Sequence, residues 1–246
     1  MKEFGKTLKQ LFQVNMILGE MIQYALITAG GSVLGTGIVL VVLRTNTTDN
    51  EYMKAGNIMA LLLGAIVFLF MGILAIKGDF NLAIGMGKTR KNYVVARYLL
   101  SMLNVLIILG IVWITGILEG GIYKVIYPNS VCRFDLGELL FRPQLVLGIL
   151  LALPAVILLL GVLLLKYGKI AFWVLWCIWM VGCLGIPRIM AAAVEHPDSL
   201  MGRFGEAVIK FFMKASLWGV FGVLAGIAVV AMTVTIYVIR NQQVTA

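Results

Sequence analysis

The sequence predicts an all-α membrane protein with six transmembrane helices, and composition and run length support this prediction. The chain has 246 residues, of which 61% are hydrophobic and only 13% are charged. Soluble globular domains are about 45–50% apolar and about 25% charged. A bilayer core about 30 Å thick requires about 20 apolar residues of each helix, and six such runs recur along the chain. The runs do not alternate polar and apolar residues, so helices are expected rather than barrel strands.

The six runs define the predicted spans and a single transmembrane domain covering 1–246. They lie at about 22–43, 55–76, 94–118, 144–165, 170–190 and 216–239. Pro154 lies inside the fourth run and is expected to bend that helix. Glycines spaced four apart, Gly31/Gly35 and Gly222/Gly226, predict faces where helices pack closely.

The distribution of charge predicts that both termini face the cytoplasm. Lys and Arg close to the ends of spans favour the cytoplasmic side. With the N-terminus inside, the inner side carries most of the net charge of +9, including the basic connection Lys166–Lys169. We therefore expect the basic groups to meet the anionic inner leaflet and partner proteins rather than nucleic acid.

Three stretches outside the predicted spans are amphipathic, and two of them are expected to lie at the membrane surface. The N-terminal segment 1–13 has apolar residues on one helical face and is predicted to lie in the plane of the inner leaflet. The segment 187–216 is predicted to form short amphipathic helices on the outer side, between the fifth and sixth spans. Their apolar stripes are Phe4, Leu8, Leu11 and Phe12, and Phe204, Val208, Phe211, Phe212 and Ala215.

The segment GDFNLAIGMGKTRKNYVVARYLL, residues 78–100, contains a look-alike of a nucleotide-binding loop in Gly87-Lys88-Thr89. A P-loop has the form G-x-x-x-x-G-K-[ST] and follows a buried strand. The position that requires the first glycine is Leu82, and the apolar run before it is too long for a soluble strand. The sequence therefore argues against an ATPase.

The same segment predicts a short docking helix. Phe80, Ala83, Ile84 and Gly87 share one helical face, and basic residues follow at its end, where cations meet the negative end of the helix dipole. Exposed apolar side chains on a loop favour contact with a protein or lipid. We expect this helix to bind a partner protein.

The pattern Phe80-x-x-Ala83-x-x-x-Gly87-x-Thr89-Arg90-Lys91-x-Tyr93 resembles the segment between spans two and three of type 2 ATP-binding-cassette permeases of Gram-positive bacteria. In that family the segment carries the coupling helix, which docks into a cleft on a separate ATPase subunit. The predicted spans, the in-plane N-terminal helix, the short connection between spans four and five and the amphipathic helices before span six also agree with the family.

The resemblance implies an exporter permease in the bacterial plasma membrane. Two permease chains, identical or homologous, would combine with two ATPase chains that bind ATP and Mg, so this chain would be neither an enzyme nor a cofactor-binding subunit. A helix at 79–92 would couple the two proteins, with Phe80 and Ala83 buried at the contact and Arg90 and Lys91 at its rim. The remaining residues of the coupling segment are Ile84, Gly87 and Thr89.

The substrate is expected to be amphipathic: a peptide, a lipid or a drug-like compound. Permeases of this size resemble exporters that confer resistance to antimicrobial peptides. Trp173, Trp176 and Trp179 recur at i, i+3 and i+6, a spacing that fits either an aromatic substrate wall or ordinary helix packing and an interface belt. The loop 119–143 is a candidate substrate gate or partner contact.

Two rival functions stay open. A secondary carrier or channel usually has ionisable groups near the bilayer midplane, and the spans contain none clearly at mid-depth, since Glu20 and Arg97 lie near their edges. The other rival is a membrane assembly or sensory subunit that moves no substrate.

The chain has no C-x-x-C pair and His196 is its only histidine, so no metal site is expected.

Overall fold

A computed structural model of the chain is almost entirely helical. It describes residues 15–45, 51–85, 89–126, 131–135, 137, 140–195, 199, 201–203, 205 and 216–240. The predicted in-plane N-terminal helix, Gly87 and half of the segment 187–216, including its apolar stripe, lie outside the described residues.

Six long helices and two short strands make up the described chain. The helices are α1 Asn15–Thr45, α2 Ala55–Gly85, α3 Arg90–Ile126, α4 Pro143–Tyr167, α5 Lys169–Glu195 and α6 Leu217–Arg240. The strands are β1 Glu51–Met53 and β2 Val131–Phe134. We call the end of the bundle where α2 is followed by α3 the hairpin end, and the opposite end, which carries the strands, the strand end.

Five helices are long and apolar enough to cross a membrane, and the protein is a membrane protein on this basis. These segments are Gly19–Val42, Ala55–Gly85, Arg90–Ile126, Pro143–Tyr167 and Leu217–Arg240. The predicted fifth span, 170–190, lies within α5, where the described apolar stretch Lys169–Gly182 is shorter than the others. Five of the six predicted spans therefore correspond to helices of sufficient length and hydropathy.

The helices pack in two closely contacting pairs, α1 with α2 and α4 with α6. α2 and α3 connect the pairs, because each of them also contacts α4. The main core lies between them and contains, among others, Phe68, Ile76, Ile108, Ile157 and Leu158. α5 packs more loosely, against α4 and through a Phe70–Trp179 ring contact with α2.

The strands are a feature that the sequence analysis did not predict. β1 and β2 pair in parallel, with Glu51 opposite Val131 and Tyr52 opposite Cys132. Because β1 directly precedes α2 and β2 follows α3, the pairing joins the two helices at the strand end. Runs of three and four residues are too short to give a periodic signal in the sequence.

The turn between α4 and α5 is as short as the sequence predicts. Gly168 has φ +55° and donates its N–H to the Leu164 carbonyl at 2.9 Å. A glycine in this conformation ends a helix without strain and satisfies one of its last carbonyls. α5 then begins at the next residue.

Gly31 and Gly35 lie at the contact between α1 and α2, as their spacing predicted. A Cβ on Gly35 would come within 2.7 Å of the Ala55 carbonyl oxygen and of the Gly56 Cα. Both neighbours belong to the backbone, which cannot move aside as a side chain can. The prediction is wrong for Gly222 and Gly226, which have no neighbour within 4 Å of a Cβ position.

We predict that Gly35→Ala destabilises the protein by about 1–3 kcal/mol, because an added methyl group forces two backbones apart. Gly37→Ala is the matched control, since a Cβ there meets nothing within 4 Å; it should be neutral or stabilising by up to about 1 kcal/mol. Thermal unfolding of both variants in detergent checks this. Equal midpoints would contradict the tight α1–α2 contact.

Candidate functional site

The predicted coupling segment begins as the last two turns of α2 rather than as a separate helix, since α2 continues to Gly85 and α3 starts at Arg90. Phe80 and Ala83 are buried within the chain itself, at 0% and 1% exposure. The Phe80 ring lies edge-on to Tyr93, with 5.5 Å between ring centroids, and the Tyr93 hydroxyl donates to the Ile76 carbonyl at 3.1 Å. Phe80 and Ala83 were expected to be buried against a partner protein. In this structure Tyr93 of α3 already packs on Phe80, so this face of α2 is covered by the chain itself.

The rest of the predicted segment lies nearer the surface. Thr89 and Lys91 are exposed, and Ile84 and Arg90 are half-buried. Thr89 immediately precedes α3, and its carbonyl accepts from Tyr93 N at 3.0 Å. Arg90 Nη1 donates to the Arg240 carbonyl at 2.6 Å, so its side chain connects the start of α3 to the end of α6.

A buried ion-pair cluster lies one to two turns deeper into the bundle. Arg97 of α3 is 3% exposed; its Nη1 lies 2.8 Å from Asp79 Oδ2 of α2 and 3.3 Å from Glu20 Oε2 of α1. Nη2 also donates to Glu20 Oε2 at 3.3 Å. One cation thus holds two carboxylates and joins three helices at the hairpin end.

Glu20 and Arg97 lie near the edges of their predicted spans, but each begins a row of polar residues on one face of its helix. Such a row indicates a buried polar contact between helices. Glu20, Tyr24, Thr28 and Ser32 recur every four residues on one face of α1. Arg97, Ser101 and Asn104, spaced four and three residues apart, share one face of α3, and the structure buries all three of them. The two faces meet at the Glu20–Arg97 ion pair, and α1 and α3 are in contact. Within the described part of the chain, Tyr24 Oη, Thr28 Oγ1 and Asn104 Oδ1 have no hydrogen-bond partner.

A second buried carboxylate lies at the strand end. Glu119 is 2% exposed, and its Oε1 accepts from Gly56 N and from the Tyr123 hydroxyl, both at 2.9 Å. Its Oε2 accepts from Asn57 N at 2.8 Å. These amides belong to the first turn of α2, where unpaired N–H groups and the positive end of the helix dipole favour an anion. The loop expected from residue 119 begins only after Ile126.

A cavity of about 270 Å³ opens beside this carboxylate. Lys54 and Asp135 form an ion pair on its wall, and Asp135 Oδ1 also accepts from Gly137 N at 2.8 Å. Asn57 lines it as well, 1% exposed and with Oδ1 unpartnered. The remaining lining residues are Trp113, Gly116, Ile117, Gly137 and Phe141.

The tryptophan stripe of α5 lies at the surface rather than in the core. Trp173, Trp176 and Trp179 are 59%, 43% and 46% exposed. Trp176 and Trp179 line a groove of about 350 Å³ between α5, α2 and α4, and Trp173 contacts Trp176 but does not line it. The groove is lined by apolar residues alone, among them Phe70, Leu74 and Leu164.

No group of three or more His, Cys, Asp and Glu residues in the described chain is placed to hold a metal ion. Comparisons of the chain with protein-family models, curated proteins and solved structures give no match. The candidate site is therefore defined by this chain's own geometry: the charged cluster and surface of the hairpin end, and the apolar groove beside α5.

We predict that Arg97→Met destabilises the protein by about 3–5 kcal/mol, because it leaves two buried carboxylates facing each other without a cation. The triple variant Glu20→Gln, Asp79→Asn, Arg97→Met should recover much of this loss, since it removes the uncompensated charge. Thermal unfolding and the monodisperse yield in detergent measure both. Equal stability of the single and triple variants would show that the ion pairs are not coupled.

We predict that Glu119→Gln destabilises the protein by about 1–3 kcal/mol. A glutamine amide can accept only through one oxygen, so one N–H at the start of α2 loses its partner in a buried site. Lys124→Gln, on an exposed side chain one turn away, controls for the loss of one charge and should be neutral. Chemical unfolding in mixed micelles gives both values, and a neutral Glu119→Gln would contradict the capping role.

Proposed function

We propose that this chain is the permease subunit of an ATP-binding-cassette exporter, which moves an amphipathic substrate outward and is driven by a separate ATPase subunit. In this proposal the chain spans a bacterial plasma membrane six times, with α5 as the fifth span and both termini in the cytoplasm. Two permease chains combine with two ATPase chains, and ATP and Mg bind to the latter.

The observation that supports the proposal best is the bracing of the hairpin end. Arg97 joins α3 to Asp79 and Glu20, and the Phe80–Tyr93 contact locks α2 against α3 next to the connection. Because buried ion pairs and close packing resist deformation, a force on residues 86–89 would move α1, α2 and α3 together. A coupling element needs this stiffness, whereas a simple connecting loop does not.

The proposed contact with the ATPase differs from the one expected from the sequence. Phe80 and Ala83 stiffen the segment from inside, and the surface left for a partner includes Ile84, Thr89 and Lys91. An exposed lysine and a half-buried isoleucine at the same end of the bundle suit a partner cleft with an apolar floor and an acidic rim.

The groove between α5, α2 and α4 is the proposed site for the apolar part of the substrate. Its volume of about 350 Å³ and its aromatic and aliphatic lining suit an acyl chain or apolar side chains rather than a polar solute. Trp176 and Trp179 then form the substrate wall, and Trp173 lies outside it.

A second candidate, a secondary carrier or channel, is favoured by the buried polar row on α1 and α3. Unpartnered oxygens on Tyr24, Thr28 and Asn104 lie within membrane-spanning segments, where unsatisfied polar groups are costly and often functional. Transport by this chain alone in liposomes, without an ATPase or ATP, would favour the carrier over the exporter.

We predict that Lys91→Glu reduces co-purification of the proposed ATPase subunit about tenfold or more, because like charges across an interface cost several kcal/mol. The matched control is Lys169→Glu, another exposed lysine, at the start of α5, which should retain the ATPase. Phe80→Asp is unsuitable, since Phe80 is buried and its loss would disturb the fold itself.

The measurement is affinity purification of the tagged permease in mild detergent, with the ATPase quantified per permease chain. Both variants must keep the wild-type unfolding midpoint for the comparison to hold. Failure of the wild type to retain an ATPase, or equal retention by both variants, would contradict the proposed coupling surface.

A further inference from the structure

We propose that the strand end carries a binding site for a phospholipid head group with a primary ammonium and a phosphate, as in phosphatidylethanolamine. The site is the cavity beside Glu119, and the acyl chains lie along α3. This inference is independent of the exporter proposal, because it uses none of the residues of the hairpin end or of the groove beside α5.

The size and position of the cavity suit a head group. Its volume of about 270 Å³ lies just below the range of about 300–1,000 Å³ for sites that enclose drug-sized ligands. It is bounded by Lys54 and Asn57 at the start of α2, by Asp135 after β2, and by residues 113–117 of α3. The ends of membrane-spanning helices lie at the depth of lipid head groups.

Asn57 supplies the most specific contact. It is 1% exposed, its N–H is taken by Glu119, and its side-chain oxygen has no hydrogen-bond partner. A buried carbonyl without a donor destabilises the protein. Because Asn57 lines the cavity, we expect this oxygen to accept from a ligand N–H group once the side chain turns towards it. A primary ammonium has three such groups, whereas a quaternary choline head group has none.

The charges on the cavity wall complement a zwitterion. Lys54 and Asp135 pair with each other, with side-chain exposures of 14% and 27%. A phosphate beside Lys54 and an ammonium beside Asp135 extend this pair into a four-charge array of alternating sign. A head group that carries only negative charge can approach Lys54 but brings no cation to Asp135, so it completes only half of this array.

The open side of the cavity faces apolar surface rather than a polar rim. Trp113 and Ile117, one turn apart on α3, line the cavity and are 54% and 55% exposed. Ile114 and Leu118 continue this exposed strip at 52% and 60%. Tryptophan is enriched at the membrane interface, where its ring contacts both head groups and acyl chains. A lipid therefore fits the site better than a soluble phosphate ester does.

The first experiment measures lipid binding to the full chain in detergent after delipidation. Phosphatidylethanolamine, its mono- and dimethyl derivatives, phosphatidylcholine and phosphatidylglycerol with identical acyl chains are titrated and followed by native mass spectrometry. We expect phosphatidylethanolamine to bind about tenfold more tightly than phosphatidylcholine. The choline head group has no N–H, so phosphatidylcholine lacks the hydrogen bond from a charged donor to Asn57. Equal affinity for these two lipids, or for phosphatidylethanolamine and phosphatidylglycerol, would overturn the proposal.

The second experiment compares two buried asparagines. Asn57→Leu removes the unpartnered oxygen from the cavity, and Asn104→Leu removes the same group from an equally buried position elsewhere in the bundle. Asn57→Leu should bind phosphatidylethanolamine and phosphatidylcholine with about equal affinity. Asn104→Leu should keep the preference for phosphatidylethanolamine. Retention of the preference in Asn57→Leu would overturn the assignment. Should Asn57→Leu fail to fold, the lipid series on the wild type still decides.

Soluble phosphoethanolamine tests whether the site binds a membrane lipid or a water-soluble compound with the same head group. It carries the same ammonium and phosphate without acyl chains, so we expect no shift of the unfolding midpoint at concentrations where the lipid gives one. A shift as large as that of the lipid would assign the site to a soluble ligand and overturn the membrane assignment.

Discussion

The arrangement of the first three helices depends on a single buried cation, Arg97. In a bilayer a charged side chain must face the protein interior and find partners there, and Asp79 and Glu20 are the partners that Arg97 finds. Because they lie on α2 and α1, the rotation and depth of all three helices are fixed together. Apolar packing alone would not fix them, since lipid tails are as apolar as Leu and Ile side chains.

Glu119 imposes the matching constraint at the other end of α3. It holds the first turn of α2 through two backbone amides, and the parallel pairing of β1 with β2 reinforces the join. α2 is thus tied to α3 by charge at both ends and to α1 by the close backbone contact at Gly35. These three helices form one rigid unit, beside the pair α4 and α6, whose contact is built from small residues such as Ala155 and Ala228.

The sequence predicts local properties of this fold well and long-range contacts poorly. Apolar runs identified the five membrane-length helices because each run is a property of one segment. Periodicity grouped Phe80 and Ala83 on one face, but periodicity does not say what covers a face, and Tyr93 of the same chain covers it. The apolar run of the third predicted span ends at 118, which places Glu119 in a predicted loop. The Glu119 carboxylate accepts from amides more than 60 residues away along the chain, which no local pattern reveals.

α5 is held differently from α1, α2 and α3, and this difference indicates where the bundle can open. In the described chain, α5 makes no side-chain hydrogen bond or ion pair to another helix; it is held by apolar contacts with α4 and by the Phe70–Trp179 pair. In a membrane such contacts exchange for lipid contacts at little cost. Separation of α2 from α3, in contrast, breaks the buried ion pair of Arg97 with Asp79 and the hydrogen bonds that Glu119 accepts from α2. Movement of α5 therefore breaks no described side-chain hydrogen bond or ion pair between helices, and it alters the groove that Trp176 and Trp179 line.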